Sequence, residues 1–175
     1  MLAQNLDAAQ TLYGMEEWDV GCAEGARLIQ TIVMVESRYL GIPPEEEPVV
    51  EMAPLPSPST VAHYNSERNT IVVSPYALRK TERQAGPYAI YVASHEVAHA
   101  WQHRAVADPS ILEDTRMPLE VSEGRIATWE SEFRNYVNGD HGTMDEYANQ
   151  DCEVFANVYA TLALSSYESR LQQPS

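Results

Sequence analysis

The motif His95-Glu96-Val97-Ala98-His99 constrains the fold of this chain more than any other feature of its sequence. Residues four positions apart in an α-helix lie about 40° apart around the axis and about 6 Å apart along it. The two imidazoles can therefore converge on one ion only if this segment is helical. The flanking residues suit a helix, because they include several alanines and because Gly86-Pro87 stands where a helix can begin. We predict a helix from Gly86-Pro87 to about Ala107.

The position of Glu96 beside His95 indicates hydrolytic chemistry. Glu96 is offset from His95 by about 100° around the helix, so its carboxylate can reach a water on the ion without ligating the ion. Tyr91 and Val92 precede His95 on its own side, which predicts that the histidines face inward. Buried imidazoles beside a buried carboxylate need compensation, and a divalent cation supplies it. Histidine ligands favour zinc, and we predict Zn²⁺ as the cofactor.

A catalytic zinc ion needs a third protein ligand and an open position. Glu153 shares one predicted helix face with small and polar residues, namely Ala156, Asn157 and Ala160. The alanines allow close approach to the helix that carries the histidines. We therefore predict Glu153 as the third metal ligand, with Asn157 hydrogen-bonded to a ligand. Asp151 points about 160° away from Glu153 on an ideal helix and is the alternative ligand.

The three other histidines are weaker candidates for the ion. His103 follows His99 by one turn, but three histidines in successive turns span about 12 Å, too far to share one ion. We expect His103 to lie beside the site or to be partly exposed. His141 lies in a predicted turn between two glycines, and His63 lies outside the helix.

The remaining segments predict an α+β fold. Apolar residues at helical spacing predict an N-terminal helix from Gly21 to Leu40. A Pro-rich connection follows, in which Val49-Val50 and Met52 have the composition of a short strand. Thr60–Tyr64 and Thr70–Ser74, joined by turn residues, predict a small antiparallel sheet.

Two further C-terminal helices are predicted after the motif helix. One runs from Pro118 to Asn138, and the other from Thr143 or Met144 to about Leu171. We expect a single domain over residues 1–175, in which residues 1–59 form the N-terminal helix and the Pro-rich connection and residues 60–175 form the catalytic core.

Composition excludes several classes of protein. The chain has 11 Lys+Arg and 26 Asp+Glu, and the formal net charge of −15 disfavours nucleic acid as a partner. No apolar run is long enough to cross a bilayer, and the N-terminus lacks the pattern of a secretory signal, so we expect no membrane partner and a cytoplasmic location. Two cysteines, Cys22 and Cys152, cannot form a disulfide framework, although a single bridge stays open.

The motif and the later segment Glu153-x-x-Ala156-Asn157-x-Tyr159-Ala160 together resemble the compact gluzincin-type zinc metallopeptidases. That group includes the ImmA/IrrE-type proteases and small phage-borne relatives. The resemblance covers residues 60–165, and Asn69–Val73 resembles the edge strand that lines the substrate groove in these enzymes.

The resemblance implies a zincin-like fold and hydrolysis of peptide bonds in a peptide or protein substrate. It implies that His95, His99 and Glu153 are zinc ligands and that Glu96 is the general base. For a phage-encoded chain, the location would be the host cytoplasm.

A second function stays open from the sequence. The chain could be a non-catalytic structural or binding protein, possibly related to phage, on a zincin scaffold with a structural metal. Its strong acidity and the lack of an evident oxyanion donor keep this alternative open. Tyr136 and Tyr147 are candidate donors, for which packing in the core or in an interface is the competing interpretation.

Overall fold

A computed structural model of the chain describes residues 2–15, 21–57, 60–76, 84–137 and 143–172. The helices described are α1 (Leu2–Tyr13), α2 (Ala23–Tyr39), α3 (Ala85–Ala107), α4 (Ile111–Asp114), α5 (Glu123–Arg134), α6 (Met144–Ala148) and α7 (Asp151–Leu171). The strands are β1 (Val49–Met52), β2 (Ala62–Asn65) and β3 (Thr70–Val73), and Pro44–Glu46 forms a 3-10 turn. The predicted α+β class is confirmed. Along the chain, the structure has more helices than the sequence indicated, both before and after the strands.

The three described strands form one mixed sheet in the order β1-β3-β2. Strands β2 and β3 form the predicted antiparallel hairpin, with Ala62 opposite Val73. Strand β1 pairs with β3 in parallel, with Val49 opposite Thr70, so the prediction of a purely antiparallel sheet is wrong. The expectation that residues 69–73 form an edge strand is also wrong. This segment is the most apolar of the three strands and is largely buried, and it takes the central position.

Helix α3 lies at the centre of the fold. It packs against α1, α2 and α5, and its most extensive contact is with α7. Trp101 of α3, Trp129 of α5 and Phe155 of α7 are buried and meet in one aromatic group, with ring centroids 4.8 to 6.2 Å apart. Both tryptophans therefore anchor the core. None of the described helices is long and apolar enough to cross a membrane.

Helix α1 was not predicted from the sequence, and it explains the glycine at the start of α3. The end of α1 passes directly over this turn. A Cβ atom on Gly86 would lie 2.0 Å from the carbonyl oxygen of Leu12. Only glycine allows this approach, so Gly86 serves helix packing in addition to the helix start.

The C-terminal helices are shorter than predicted. Ser122 caps α5 by accepting a hydrogen bond from the Arg125 amide, so the helix begins at Glu123 rather than Pro118. The last predicted helix is interrupted at Gln150, which has an extended backbone. The Gln150 side chain bonds both peptide groups of Val137, donating to its carbonyl and accepting from its amide. This tertiary contact has no local signal, and it divides the segment into α6 and α7.

Candidate metal centre

The structure brings together the three residues that were predicted as metal ligands. His95 and His99 lie one turn apart in α3, and Glu153 lies in the first turn of α7. The two histidine Nε2 atoms are 3.0 Å apart. Glu153 Oε2 lies 3.4 Å from Nε2 of His95, and Glu153 Oε1 lies 3.3 Å from Nε2 of His99. Candidate ligand atoms of all three residues lie within 4.8 Å of one another.

Gln102 fixes the orientation of His99, a role that the sequence analysis did not assign. The buried Gln102 amide donates from Nε2 to the Cys152 carbonyl at 3.0 Å, which turns its Oε1 towards His99. His99 Nδ1 lies 2.8 Å from this oxygen and must donate to it. Nε2 of the neutral imidazole therefore carries a lone pair directed at the cluster. The available signal was the position of Gln102 three residues after His99 on the same helix face.

The Glu153 carboxylate is held as an anion inside the cluster. Burial disfavours an ionised Glu153, but hydrogen bonds and charges of the two histidines outweigh burial and hold its pKa well below the usual range. Burial alone would lower the pKa of His99. The hydrogen bond and the charge of Glu153 outweigh this effect, so the pKa of His99 is raised. Glu153 Oε2 is buried, and within the described part of the chain it has the contact with His95 Nε2 at 3.4 Å but no hydrogen bond of good geometry. Two imidazoles and one carboxylate are a donor set that zinc accepts, so these residues fit the predicted ion.

Tyr136 contacts the cluster directly. Its hydroxyl donates to Glu153 Oε1 at 2.5 Å. The Tyr147 ring stands edge-on to the Tyr136 ring, with centroids 6.2 Å apart. Burial, reinforced by the Glu153 charge, raises the pKa values of both phenols far above the ordinary value for tyrosine. Both side chains are therefore neutral donors at the site, and the interpretation of Tyr136 as a packing residue alone is wrong.

Contacts from α5 set the position of Glu153. The Glu132 carboxylate accepts hydrogen bonds from the amides of Asp151 and Cys152 at 2.7 and 2.9 Å, which caps the start of α7. Asp151 points away from the cluster and accepts from Arg125 at 2.8 and 2.9 Å and from Trp129 at 2.9 Å. Asp151 was the alternative ligand, and this prediction is wrong because the carboxylate is committed to α5.

The cluster opens onto a cleft formed by two adjoining cavities of about 440 and 300 Å³. The two cavities share six of their lining residues, namely Ala62, His63, His95, Glu96, Tyr136 and Tyr147. Glu96 is only 5% exposed, and its remaining exposure faces this cleft. Glu96, His95 and His99 therefore border the same space, whereas Glu153 is fully buried and lines neither cavity.

Strand β2 borders the cleft, in place of the strand at residues 69–73. The Ser74 amide donates to the Val61 carbonyl at 2.8 Å. This bond shows which opposite residues of the hairpin form hydrogen-bonded pairs and which do not. In this antiparallel register the peptide groups of Ala62 and Tyr64 point away from β3. The outer edge of β2 therefore presents backbone donors and acceptors that β3 does not use.

The remaining polar residues have other partners. Asn157 accepts a hydrogen bond from the Tyr91 hydroxyl at 2.7 Å, so the expected bond to a ligand is wrong, and Tyr91 stands between Asn157 and the His95 ring. The His103 ring lies beside the site and stacks on Phe133 at 3.9 Å. Burial, with the charges of nearby histidines, lowers the pKa of His103 to about 4.

Two further expectations concern His141 and the cysteines. His141 lies outside the described residues. Cys22 and Cys152 are both free thiols, so the open possibility of a bridge between them is not realised.

Comparisons of the chain with models of protein families, with curated proteins and with solved structures find no match. The zincin-like fold and the family resemblance stay predictions.

Proposed function

We propose that this chain is a zinc-dependent metallopeptidase in which His95, His99 and Glu153 hold the ion and Glu96 is the general base. One observation carries the proposal. A buried cluster of two imidazoles and one ionised carboxylate opens onto a cleft that Glu96 also lines. A structural zinc site has four protein ligands and is closed, whereas the described residues supply three here, and His95 and His99 border open space. The arrangement therefore favours catalysis over a purely structural metal.

The chemistry divides between the ion and the side chains. A bound divalent ion would supply Lewis acidity that activates water and polarises a carbonyl group. Glu96 accepts a proton from the attacking water and delivers it to the leaving amine. The neutral hydroxyls of Tyr136 and Tyr147 are the candidate donors to the oxygen of the carbonyl under attack, and Tyr136 would have to turn its single O–H from Glu153 Oε1 to that oxygen.

The substrate of this reaction is an extended peptide or protein segment. The outward-pointing peptide groups of Ala62 and Tyr64 allow a substrate strand to add to β2. A segment bound in this way runs along the cleft past His95 and Glu96, which line the cavities beside β2. Backbone pairing holds the scissile bond near the base without requiring a particular side chain.

Metal content tests the ligand set. Elemental analysis should find about one zinc per chain in the wild type and in a Glu113→Gln control, whose carboxylate is exposed outside the cleft. His95→Ala and Glu153→Ala should each lose most of the metal, because two ligands alone hold zinc weakly. Equal zinc in all four proteins would remove the proposed site.

Peptide cleavage tests the base. The zinc-loaded wild type should cleave members of a peptide library, and a chelator should abolish the cleavage. Glu96→Gln should keep the metal and lose about 10²- to 10⁴-fold in turnover, the usual contribution of a general base. Undiminished turnover in this variant would refute the role of Glu96. Full zinc occupancy without cleavage of any peptide would support the non-catalytic alternative.

A further inference from the structure

A second buried carboxylate, Glu36 of α2, lies away from the metal centre. Its side chain is 5% exposed and is held by hydroxyl groups from two other helices. Ser94 of α3 donates to Oε1 at 2.8 Å, and Tyr159 of α7 donates to Oε2 at 3.3 Å. Tyr167 of α7 also hydrogen-bonds this carboxylate.

Glu36 has no cationic partner in the described part of the chain, where its partners are all neutral hydroxyls. Burial raises the pKa of Glu36 to about 7, against the opposing effect of the three hydroxyl donors. An ionised carboxylate in such a place is costly without an opposite charge. The donors stabilise the anion, and a cation would complete the site.

Glu36 lines a cavity of about 200 Å³ with mostly apolar walls. The other walls come from α2, Pro118 and α7, and include Val35, Tyr39, Leu162 and Ala163. No residue that lines it also lines the cleft at the metal centre. An apolar protein cavity of about 150 Å³ is large enough to hold benzene, so this cavity fits a small ring or a short alkyl chain.

We propose that this cavity binds a small primary amine, with the ammonium group on the Glu36 carboxylate and an apolar body against the walls. The charge selects the ligand, since a buried carboxylate favours a cation and repels an anion. The rings of Tyr39, Tyr159 and Tyr167 also line the cavity, and aromatic faces attract ammonium groups. The net charge of −15 further favours cationic ligands over anionic ones.

Calorimetric titration with benzylamine and benzyl alcohol tests the charge requirement. The two probes have nearly the same shape, and only the amine is cationic. The full chain at pH 8 should bind benzylamine at least tenfold more tightly than benzyl alcohol. Glu36→Gln should abolish this preference, whereas Glu24→Gln, which removes an exposed acid near the start of the same helix, should keep it. Ala163→Phe should weaken both probes at least tenfold, because it fills the cavity and leaves the carboxylate in place.

Methyl NMR locates the probe. Benzylamine should shift the methyl signals of Val35 and Leu162, which line this cavity, and leave those of Val92, which lines the cleft. Equal affinity for the two probes, an unchanged preference in Glu36→Gln, shifts confined to Val92, or no binding at 10 mM amine would each overturn the proposal.

The pH dependence supplies an independent readout. Glu36 with a pKa of about 7 is mostly protonated at pH 6 and mostly ionised at pH 8, while the amine stays cationic. Affinity for benzylamine should therefore rise about tenfold between pH 6 and pH 8. The groups that face Glu36 are Ser94 of α3, Tyr159 and Tyr167 of α7, and Tyr39 on its own helix, and none of these types changes charge in this range. An affinity that falls or stays constant over this range would contradict binding to the carboxylate.

Discussion

Two buried glutamates show how environment decides what a carboxylate does in this fold. Glu153 is fully buried against two imidazoles, and their hydrogen bonds and charges hold its pKa low. Glu36 is buried against hydroxyl groups, and burial raises its pKa to about 7. Glu153 is therefore an anion at neutral pH, as a metal ligand must be, whereas Glu36 changes charge near neutrality. Sequence distinguished them only in part, because Glu153 could be related to a motif and Glu36 could not.

The convergence of His95 and His99 beside Glu96 was predictable because their spacing along one helix carries the information. Gln102 was given no role, and Tyr136 was named only as a candidate donor to the oxyanion, without its bond to Glu153. Gln102 acts through the Cys152 carbonyl, which is close only once α3 and α7 have packed. Tyr136 follows the end of α5, and its bond to Glu153 depends on tertiary structure that the sequence pattern does not show.

Removal of the Gln102 amide should weaken zinc binding. Gln102→Leu leaves His99 Nδ1 without its acceptor, so the imidazole loses its fixed tautomer and orientation. We expect a 10- to 100-fold loss of zinc affinity, measured by competition with a chromogenic chelator. Gln102→Glu keeps an acceptor beside His99 and should retain more of the affinity than the leucine variant. Wild-type affinity in Gln102→Leu would show that Gln102 does not position the ligand.

Glu36 should make the free energy of unfolding depend on pH. The folded state holds the proton up to about pH 7, whereas an unfolded glutamate releases it near its ordinary pKa. Stability from this group is therefore complete below the unfolded pKa and is lost as pH rises through about 7. The loss amounts to at most ~3 kcal/mol.

Urea unfolding at pH 5 and pH 8 measures this effect. Glu36→Gln carries no charge at either pH, so its advantage over the wild type should grow from pH 5 to pH 8. The exposed-acid variant Glu24→Gln corrects for general charge effects, since it removes one negative charge from the same helix. An advantage that is independent of pH would contradict the raised pKa.

At the scale of elements, the predictions that succeeded rest on local pattern. The motif helix, the hairpin of β2 and β3, and the helix at Ala23–Tyr39 follow apolar spacing and turn residues. The failures rest on tertiary contacts. Val49–Met52 has strand composition, but only its packing beside β3 makes it parallel. Helix α1 lacks a distinctive pattern, and its position depends on the close approach at Gly86.

The cap that Glu132 places on α7 should matter for both stability and metal binding. Glu132→Ala removes the acceptor for the amides of Asp151 and Cys152, at the turn that carries Glu153. We expect a loss of about 1–2 kcal/mol in the free energy of unfolding, as for other helix caps, and weaker zinc binding.

Glu130→Ala is the matched control for this change. Glu130 lies on the same helix and forms an exposed pair with Arg134 one turn away. Exposed pairs of this kind contribute little, so this variant should retain wild-type stability and metal affinity. Equal behaviour of the two variants would show that the Glu132 cap does not position Glu153.

At the scale of the whole molecule, the site depends on one helix pair. Helices α3 and α7 form the most extensive contact between described elements, and Ala156 and Ala160 are fully buried in α7. These small side chains were the sequence signal for close packing. The core also joins α2 to this pair, since Ile29 and Trp101 belong to the same cluster of buried residues. A change in the spacing of α3 and α7 would therefore alter both the core and the metal cluster.

Metal binding should consequently stabilise the whole fold. An ion held by α3 and α7 together binds the folded state and loses its site on unfolding. At a free zinc concentration 100 times the Kd, this linkage adds about 2.7 kcal/mol. For a chain of this length, such a gain corresponds to a rise of about 5–10 °C in Tm. Thermal unfolding monitored by circular dichroism, with zinc and with a chelator, measures the shift.

Two variants distinguish stabilisation by zinc bound between α3 and α7 from other effects of zinc. Glu96→Gln keeps all three ligands, so its Tm should rise with zinc as in the wild type. Glu153→Ala loses the only ligand on α7, so zinc can no longer join the two helices and the rise should disappear. A full rise in Glu153→Ala would mean that zinc stabilises through α3 alone or through other residues. Since the metallopeptidase proposal requires the carboxylate at position 153 to share the ion with both imidazoles, that result would remove its ligand set as well.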